Sequence, residues 1–320
     1  MKLNRAVAFA ALAAAALGAH AQNYPTKPVH IIISFTPGSS TDIVGRMVGQ
    51  TLSEMWGQPV VADNRAGAGG SIGSAAVAHA EPDGYTLLVN SNAHTVNPAI
   101  YAKLPYDTFK DFTDIAPLAI QPNVLTVRPD GPYKTVADLV KAAKAKPGAL
   151  NIGHAGIGSG THLTTERFIA ATGIKIVQVP FKGTPEVITA MFSGNVDAYW
   201  APISAALGSI KNNKLRPLAV STPKRNPILP DVPTPAEAGI KGTESPLWFG
   251  LWGPGKMDPA LVKKINADVR KALQDTKTKA RLFTTGNEVM DMSPEQFSKL
   301  VRDETEANKK ILAAAGVKPQ

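Results

Sequence analysis

Short apolar runs with little polar alternation take turns along this chain with longer stretches whose apolar residues recur every three or four positions. Val29-His30-Ile31-Ile32-Ile33-Ser34-Phe35 has no wet face, so it reads as a parallel strand buried on both sides. A turn, Thr36-Pro37-Gly38-Ser39-Ser40-Thr41, follows it. Ile43, Met47 and Val44, Val48, Leu52, Met55 then predict a helix over 42–56, stopped by Gly57-Gln58-Pro59. Val60-Val61 reads as a short strand, Gly67-Ala68-Gly69-Gly70-Ser71 opens a helix to about 80, and 85–89 is the next strand. Further strands are expected at 115–120, 124–127, 176–179, 198–200, 215–220 and 247–252. Further helices are expected at 136–146, 161–172, 186–193, 204–212, 259–274, 277–285 and 294–315. This alternation predicts an α/β protein of βαβ units with mostly parallel sheets. The stretch after Pro254 is almost all helix, as suits a chain returning to cover a formed sheet. No low-complexity linker or fixed-period repeat occurs, so two domains joined by crossing strands are expected.

A length of 320 residues suits two domains, and 44% hydrophobic with 18% charged residues is a globular composition. Residues 1–21 stand apart. Lys2 and Arg5 precede an apolar run over 6–17, and Ala19-His20-Ala21 fits a small-x-small cleavage site. This is the pattern of a secretory signal peptide, with a run too short to span a membrane. An exported protein starting at Gln22 is expected. No cysteine is present, which excludes disulfides, Cys–zinc and iron–sulfur sites, thiol catalysis and a lipid-anchored cysteine. The net charge of +9 raises nucleic acid as a partner, but Lys and Arg are spread over helix-like segments with no basic-aromatic motif. Net positive charge instead steers small anions inward.

Two Gly/Ser/Thr-rich turns, 37–42 and 154–162, each follow a strand and open a helix. Such a junction aims unpaired N–H groups and the positive end of a helix dipole at one point, and small side chains let a ligand approach. Two of them facing across a cleft would hold an anion, or both ends of a dicarboxylate. Neither contains Lys or Arg. Taken singly, each is equally an ordinary βα junction with an N-cap. Gly158-Ser159-Gly160 lacks the spacing of a nucleophile elbow, and the nearby glycines miss the dinucleotide spacing by one. Asp42 is either a cap or a reader of a ligand amine. The six His are dispersed with no i,i+4 pair, so no metal site is expected. Asn90-Ser91-Asn92-Ala93-His94 offers polar groups at a strand end, and Tyr199-Trp200 and Trp248-Phe249 are core or cleft wall.

These residues together resemble the periplasmic receptors of tripartite tricarboxylate transporters, the Bug receptors. Residues 29–42 are similar to the family's first strand and Pro-Gly-x-x-Thr-Asp turn, and 63–73 to its Asn-Arg-x-Gly-Ala-Gly-Gly segment. Pro82-Asp83-Gly84-Tyr85-Thr86-Leu87, Gly158-Ser159-Gly160-Thr161-His162-Leu163, Val179-Pro180-Phe181-Lys182-Gly183 and 229–239 match further segments, in order across nearly the whole chain.

The resemblance implies a two-domain Venus-flytrap receptor without catalysis, cofactor or metal. The domains would be 22–121 plus 241–320, and 122–240. It implies a small mono- or dicarboxylate clamped by Phe35, Thr36, Gly38, Ser39, Ser40, Thr41 and Asp42 of the first loop and Gly158, Ser159, Thr161 and His162 of the second. Ser91, Asn92, Thr184, Asp197 and Trp200 would complete the site. It further implies a monomer that docks on membrane permease subunits. One departure is Ser39, where many relatives have a second Gly; it changes the ligand's chemistry or only stiffens the turn. Two rivals are a secreted hydrolase using Ser159 and a sensor presenting solute to a signalling partner.

Overall fold

The computed structural model describes residues 24–314, 316, 317 and 319; the expected signal peptide lies outside them. The strands, in chain order, are β1 (Val29–Ile33), β2 (Val60–Asn64), β3 (Thr86–Ser91), β4 (Phe112–Gln121), β5 (Asn123–Val127), β6 (Asn151–His154), β7 (Val177–Pro180), β8 (Ala198–Pro202), β9 (Arg216–Val220), β10 (Leu247–Pro254) and β11 (Glu288–Val289). Six of them form one sheet in the order β11-β4-β10-β3-β1-β2, and five form a second in the order β7-β6-β8-β5-β9. We call the structure around each sheet a lobe.

The helices are α1 (Ser40–Trp56), α2 (Ser71–Ala78), α3 (Ala93–Ile100), α4 (Val136–Ala145), α5 (Gly160–Thr172), α6 (Thr184–Phe192), α7 (Ile203–Lys211), α8 (Pro259–Gln274), α9 (Thr276–Thr284) and α10 (Pro294–Ala314). They cover both faces of the sheets, which is why the strands carry no wet face. Ile31 and Ile33 pack with Val44, Val48 and Leu52 of α1 and Ile265 and Val269 of α8. Ile32 and Leu88 point the other way, toward Trp252, Phe297 and Val301. In the second sheet, Tyr199 and Ala201 face Val187 and Met191 of α6, while Trp200 faces Phe168 of α5.

The expectation of mostly parallel sheets is corrected: both sheets are mixed. β1 pairs in parallel with β2 and β3, and β6 with β7 and β8. β10 is antiparallel to β3 and β4, β11 to β4, and β5 to β8 and β9. The reason is the path of the chain. Strands such as β1, β3, β6 and β8 end at the boundary between the lobes. β4 runs through Pro122 straight into β5, and β9 leads back to β10. A strand that enters a lobe from the other must run away from that boundary, opposite to its neighbours. β6 and α3 were not among the expected elements; Asn-Ile-Gly-His is too short and mixed, and α3 is buried almost throughout, with Pro98 inside it.

Candidate functional site

The two Gly/Ser turns are copies of one another in geometry. In the first, Gly38 has φ +79°, a left-handed backbone that suits glycine. Ser39 is extended (φ −68°, ψ 160°) and its Oγ accepts the Asp42 N–H at 3.3 Å. The Asp42 carboxylate reaches back and accepts the Gly38 N–H at 3.0 Å. In the second, Gly158 has φ +82°, and Ser159 (φ −72°, ψ 160°) accepts the His162 N–H at 3.2 Å. Nδ1 of His162 then accepts the Gly158 N–H at 3.4 Å. Each turn thus uses a serine cap and a side chain four residues past a glycine to hold the start of a helix, α1 or α5. The cap leaves the first N–H groups, those of Ser40 and Thr41 or of Gly160 and Thr161, without partners inside the helix.

The helix starts lie in different lobes and meet across one cleft. Its walls are Phe35, Ser39, Ser40, Thr41, Ser91 and Leu247 from the first lobe, and Ala155, Ser159, Gly160, Thr161, Thr184 and Pro202 from the second. No charged side chain lines it. The cleft leaves ≈ 20 Å³ of water-accessible space, room for about one water, and is partly open to solvent. Hydroxyls in the walls are pre-set by neighbours. Thr161 Oγ1 accepts the Ala155 N–H at 2.9 Å and lies 3.1 Å from Ser159 Oγ. Thr184 Oγ1 is 3.0 Å from the Tyr199 hydroxyl, and Ser91 Oγ accepts the Ala93 N–H at 3.2 Å. Four hydroxyl or amide groups on each side, with Phe35, Pro202 and Leu247 between, suit a short molecule with acidic ends and an apolar middle.

The other expected site residues stand behind or beside this cleft. Gly38 and Gly158 shape the turns. Thr36 sits at the lip, donating to Glu186 at 3.2 Å. Asp42 is held by three donors: besides the Gly38 N–H, its other oxygen accepts from Arg46 Nε at 2.7 Å and Asn64 Nδ2 at 2.8 Å, and it is not a wall of the cleft. Asn92 is buried behind Gly160, its amide reaching the Pro246 carbonyl. Two residues are separated from the cleft. Asp197 lies at the far end of β8, where its carboxylate accepts the N–H of Asn151 at the start of β6. Trp200 is fully buried against Phe168 (5.6 Å between rings), because strand alternation turns it to the α5 face.

Beneath the second turn lies a buried polar cluster. Burial and the neighbouring His162 push the His154 imidazole down to about 3, so it is neutral. His162 Nε2 faces Glu166 at 3.4 Å, and Gln178 donates to the same carboxylate at 2.6 Å. Burial lifts the Glu166 carboxyl, but these hydrogen bonds outweigh it and hold it below the usual range. Among the described residues no group of three or more His, Asp or Glu is arranged to hold a metal, and no helix is long and apolar enough to cross a membrane. Sequence reasoning missed Ala155, Gly160, Pro202 and Leu247 as walls, and Tyr199 as the support of Thr184. For Pro202 the signal was available, since it ends the strand that Tyr199 and Trp200 begin.

The profile of a family described as tripartite tricarboxylate transporter family receptor matches residues 44–317. Protein BugT of Bordetella pertussis is 32% identical over 312 residues, 97% of this chain and 96% of that protein. Among solved structures, the periplasmic binding protein BugD superposes with a TM-score of 0.89 at 30% identity, over 93% of this chain and 100% of that one. A Rhodopseudomonas palustris protein with adipate gives 0.90 at 34% identity, over 93% and 100%. MatC of the same organism with bound malate gives 0.86 at 31%, over 90% and 100%. These relatives are binding proteins and receptors rather than enzymes.

Proposed function

This chain belongs to the tripartite tricarboxylate transporter receptor family, and on that footing we propose that it captures a small dicarboxylate between its two helix starts and hands it to a membrane permease. The observation that carries the reading is the pair of matching turns, in separate lobes, whose uncapped N–H groups and hydroxyls face one uncharged cleft. Each carboxylate would take donors from one helix start and benefit from its dipole. The closed lobes hold the acid better than the open ones, so the acid shifts the equilibrium toward closure, and the permease reads the closed form. Similar structures carrying adipate and malate support this class of ligand. Ser159 serves as a helix cap in this reading, not as a nucleophile. The chain would be a periplasmic monomer after cleavage near Ala21, with domains at 22–121 plus 241–320 and 122–240.

Calorimetric titration with malate, succinate, adipate and the corresponding diamides tests this. At least one diacid binds, its diamide does not, and the acid is recovered unchanged after long incubation. Binding of none of the diacids, equal binding of the diamide, or consumption of the acid contradicts the proposal.

A further inference from the structure

Around the mouth of the cleft the lobes touch each other directly, and the contact depends on both hydroxyls and missing side chains. Thr36 Oγ1 of the first turn donates to Glu186 Oε2 of α6 at 3.2 Å. Tyr101, just past α3, donates its hydroxyl to the Ile157 carbonyl in the second turn at 2.9 Å. Ser204 Oγ, on α7, donates to Ser40 Oγ on α1 at 2.7 Å. Glycines let these groups meet. A Cβ at Gly183 would run into Thr36 Oγ1, one at Gly158 into the Asn97 side chain, and one at Gly69 into the Ile157 carbonyl. Gly158 and Gly69 also need left-handed backbone, but Gly183 does not. It has φ −171° and ψ 178°, an extended conformation open to any residue. It is not a wall of the cleft. The tightest approach to the bare backbone at Gly183 therefore comes from Thr36 of the opposite lobe, with Glu186 Oε2 of its own helix next at 3.1 Å.

We propose that this seam is a lock: Thr36, Gly183, Glu186 and Tyr101 make contacts that exist only when the lobes are together, and so set the open–closed equilibrium, and through it the affinity, without touching the ligand. The proposal rests on the capture reading above. Its physical basis is that apparent affinity scales with the fraction of molecules able to adopt the binding-competent state. Thr36, Glu186 and Tyr101 are positioning residues in this scheme.

Two dye-labelled cysteines, one per lobe, can be introduced into a chain that has none of its own. The distance between them is read without ligand, and binding is then titrated with adipate and malate. Gly183→Ala shifts the ligand-free distances outward and weakens the bound acid by about tenfold or more. Tyr101→Phe, which removes one hydrogen bond and leaves the fold in place, weakens it by about three- to tenfold. Thr36→Ala weakens binding in the parent but recovers part of the loss in Gly183→Ala, because it removes the atom the new methyl meets. Gly183→Ala and Tyr101→Phe with the parent's distances and midpoints overturn the lock. If the parent binds neither acid while the ligand-free distances shift as stated, the lock stands and the dicarboxylate reading fails. If the parent binds and the distances do not move, the lock alone fails.

Discussion

Asp42 and His162 occupy the same place in two separately built turns, yet one is an acid and the other an imidazole. What they share is an acceptor four residues past a left-handed glycine, aimed at that glycine's N–H. Asp42 adds bonds from Arg46 and Asn64, so both of its oxygens are engaged in holding the turn. Asp42→Asn therefore costs about 1–2 kcal/mol of stability, read from urea midpoints, and leaves the affinity ratio of malate to its amino analogue aspartate unchanged. A shift in that ratio would show the carboxylate reading a ligand amine. His94 makes a separate point at this scale. It is fully buried among Tyr106, Phe112 and Trp252 with neither ring nitrogen paired, and burial pushes it from 6.5 down to about 3. The folded chain keeps it neutral while the unfolded chain protonates it, so stability is fully present above pH 6.5 and is lost as pH falls toward 3, by about 1.4 kcal/mol per pH unit. His94→Phe flattens the stability–pH curve in that window relative to the parent. Parallel curves for the two proteins would contradict the assignment. Asp114 and Glu304, whose carboxyls burial lifts, act in the opposite sense in both proteins and cancel in the comparison.

In the proposed capture the helix starts are the elements on which binding depends, and their caps separate stability from affinity. Ser39→Ala and Ser159→Ala each cost about 1 kcal/mol, similar because the cap geometries match. Both also weaken a bound diacid. Thr135 caps α4 in a capping box, and neither it nor α4 lines the cleft, so Thr135→Ala costs a comparable amount of stability and leaves affinity alone. Thermal midpoints and titrations on the three variants check this; equal affinity in all of them would detach the caps from the site. These same caps explain what the residues disclosed in advance. A strand, a Gly-Ser turn and a helix in sequence announce a helix start, so the turns at 37–42 and 154–162 were legible as candidate anion sites; the family resemblance then singled out Phe35, Ser39, Ser40, Thr41, Ser159 and Thr161, which line the cleft, and the 259–274 helix was legible to its ends from its apolar stripe. Asp197 and Trp200 were misplaced because position within a strand fixes neither its cleft-facing end nor its ligand-facing side; pairing with β6 and packing on α5 decide those. Leu247 reaches the cleft through a chain crossing that leaves no local signal.

At the scale of the whole molecule, the chain passes between the lobes twice, through Pro122 and through the segment between β9 and β10. The two crossings are tied to each other by buried bonds. Ser221 Oγ accepts the Asn123 N–H at 2.9 Å and donates to the Ser245 carbonyl at 2.9 Å, and Asn123 reaches Thr164 on α5 at 2.9 Å. These bonds join the crossing region to the helix that opens at the cleft, and in the proposed capture closure moves the lobes as units. Such a molecule should respond to its acid at both helix starts at once. The most direct measurement is amide NMR of the labelled protein titrated with malate and adipate. The account predicts that one of these acids moves the N–H signals of Ser40 and Thr41 and those of Gly160 and Thr161 together, along a single binding curve. Signals that move at one helix start only, or mainly elsewhere in the chain, would contradict it.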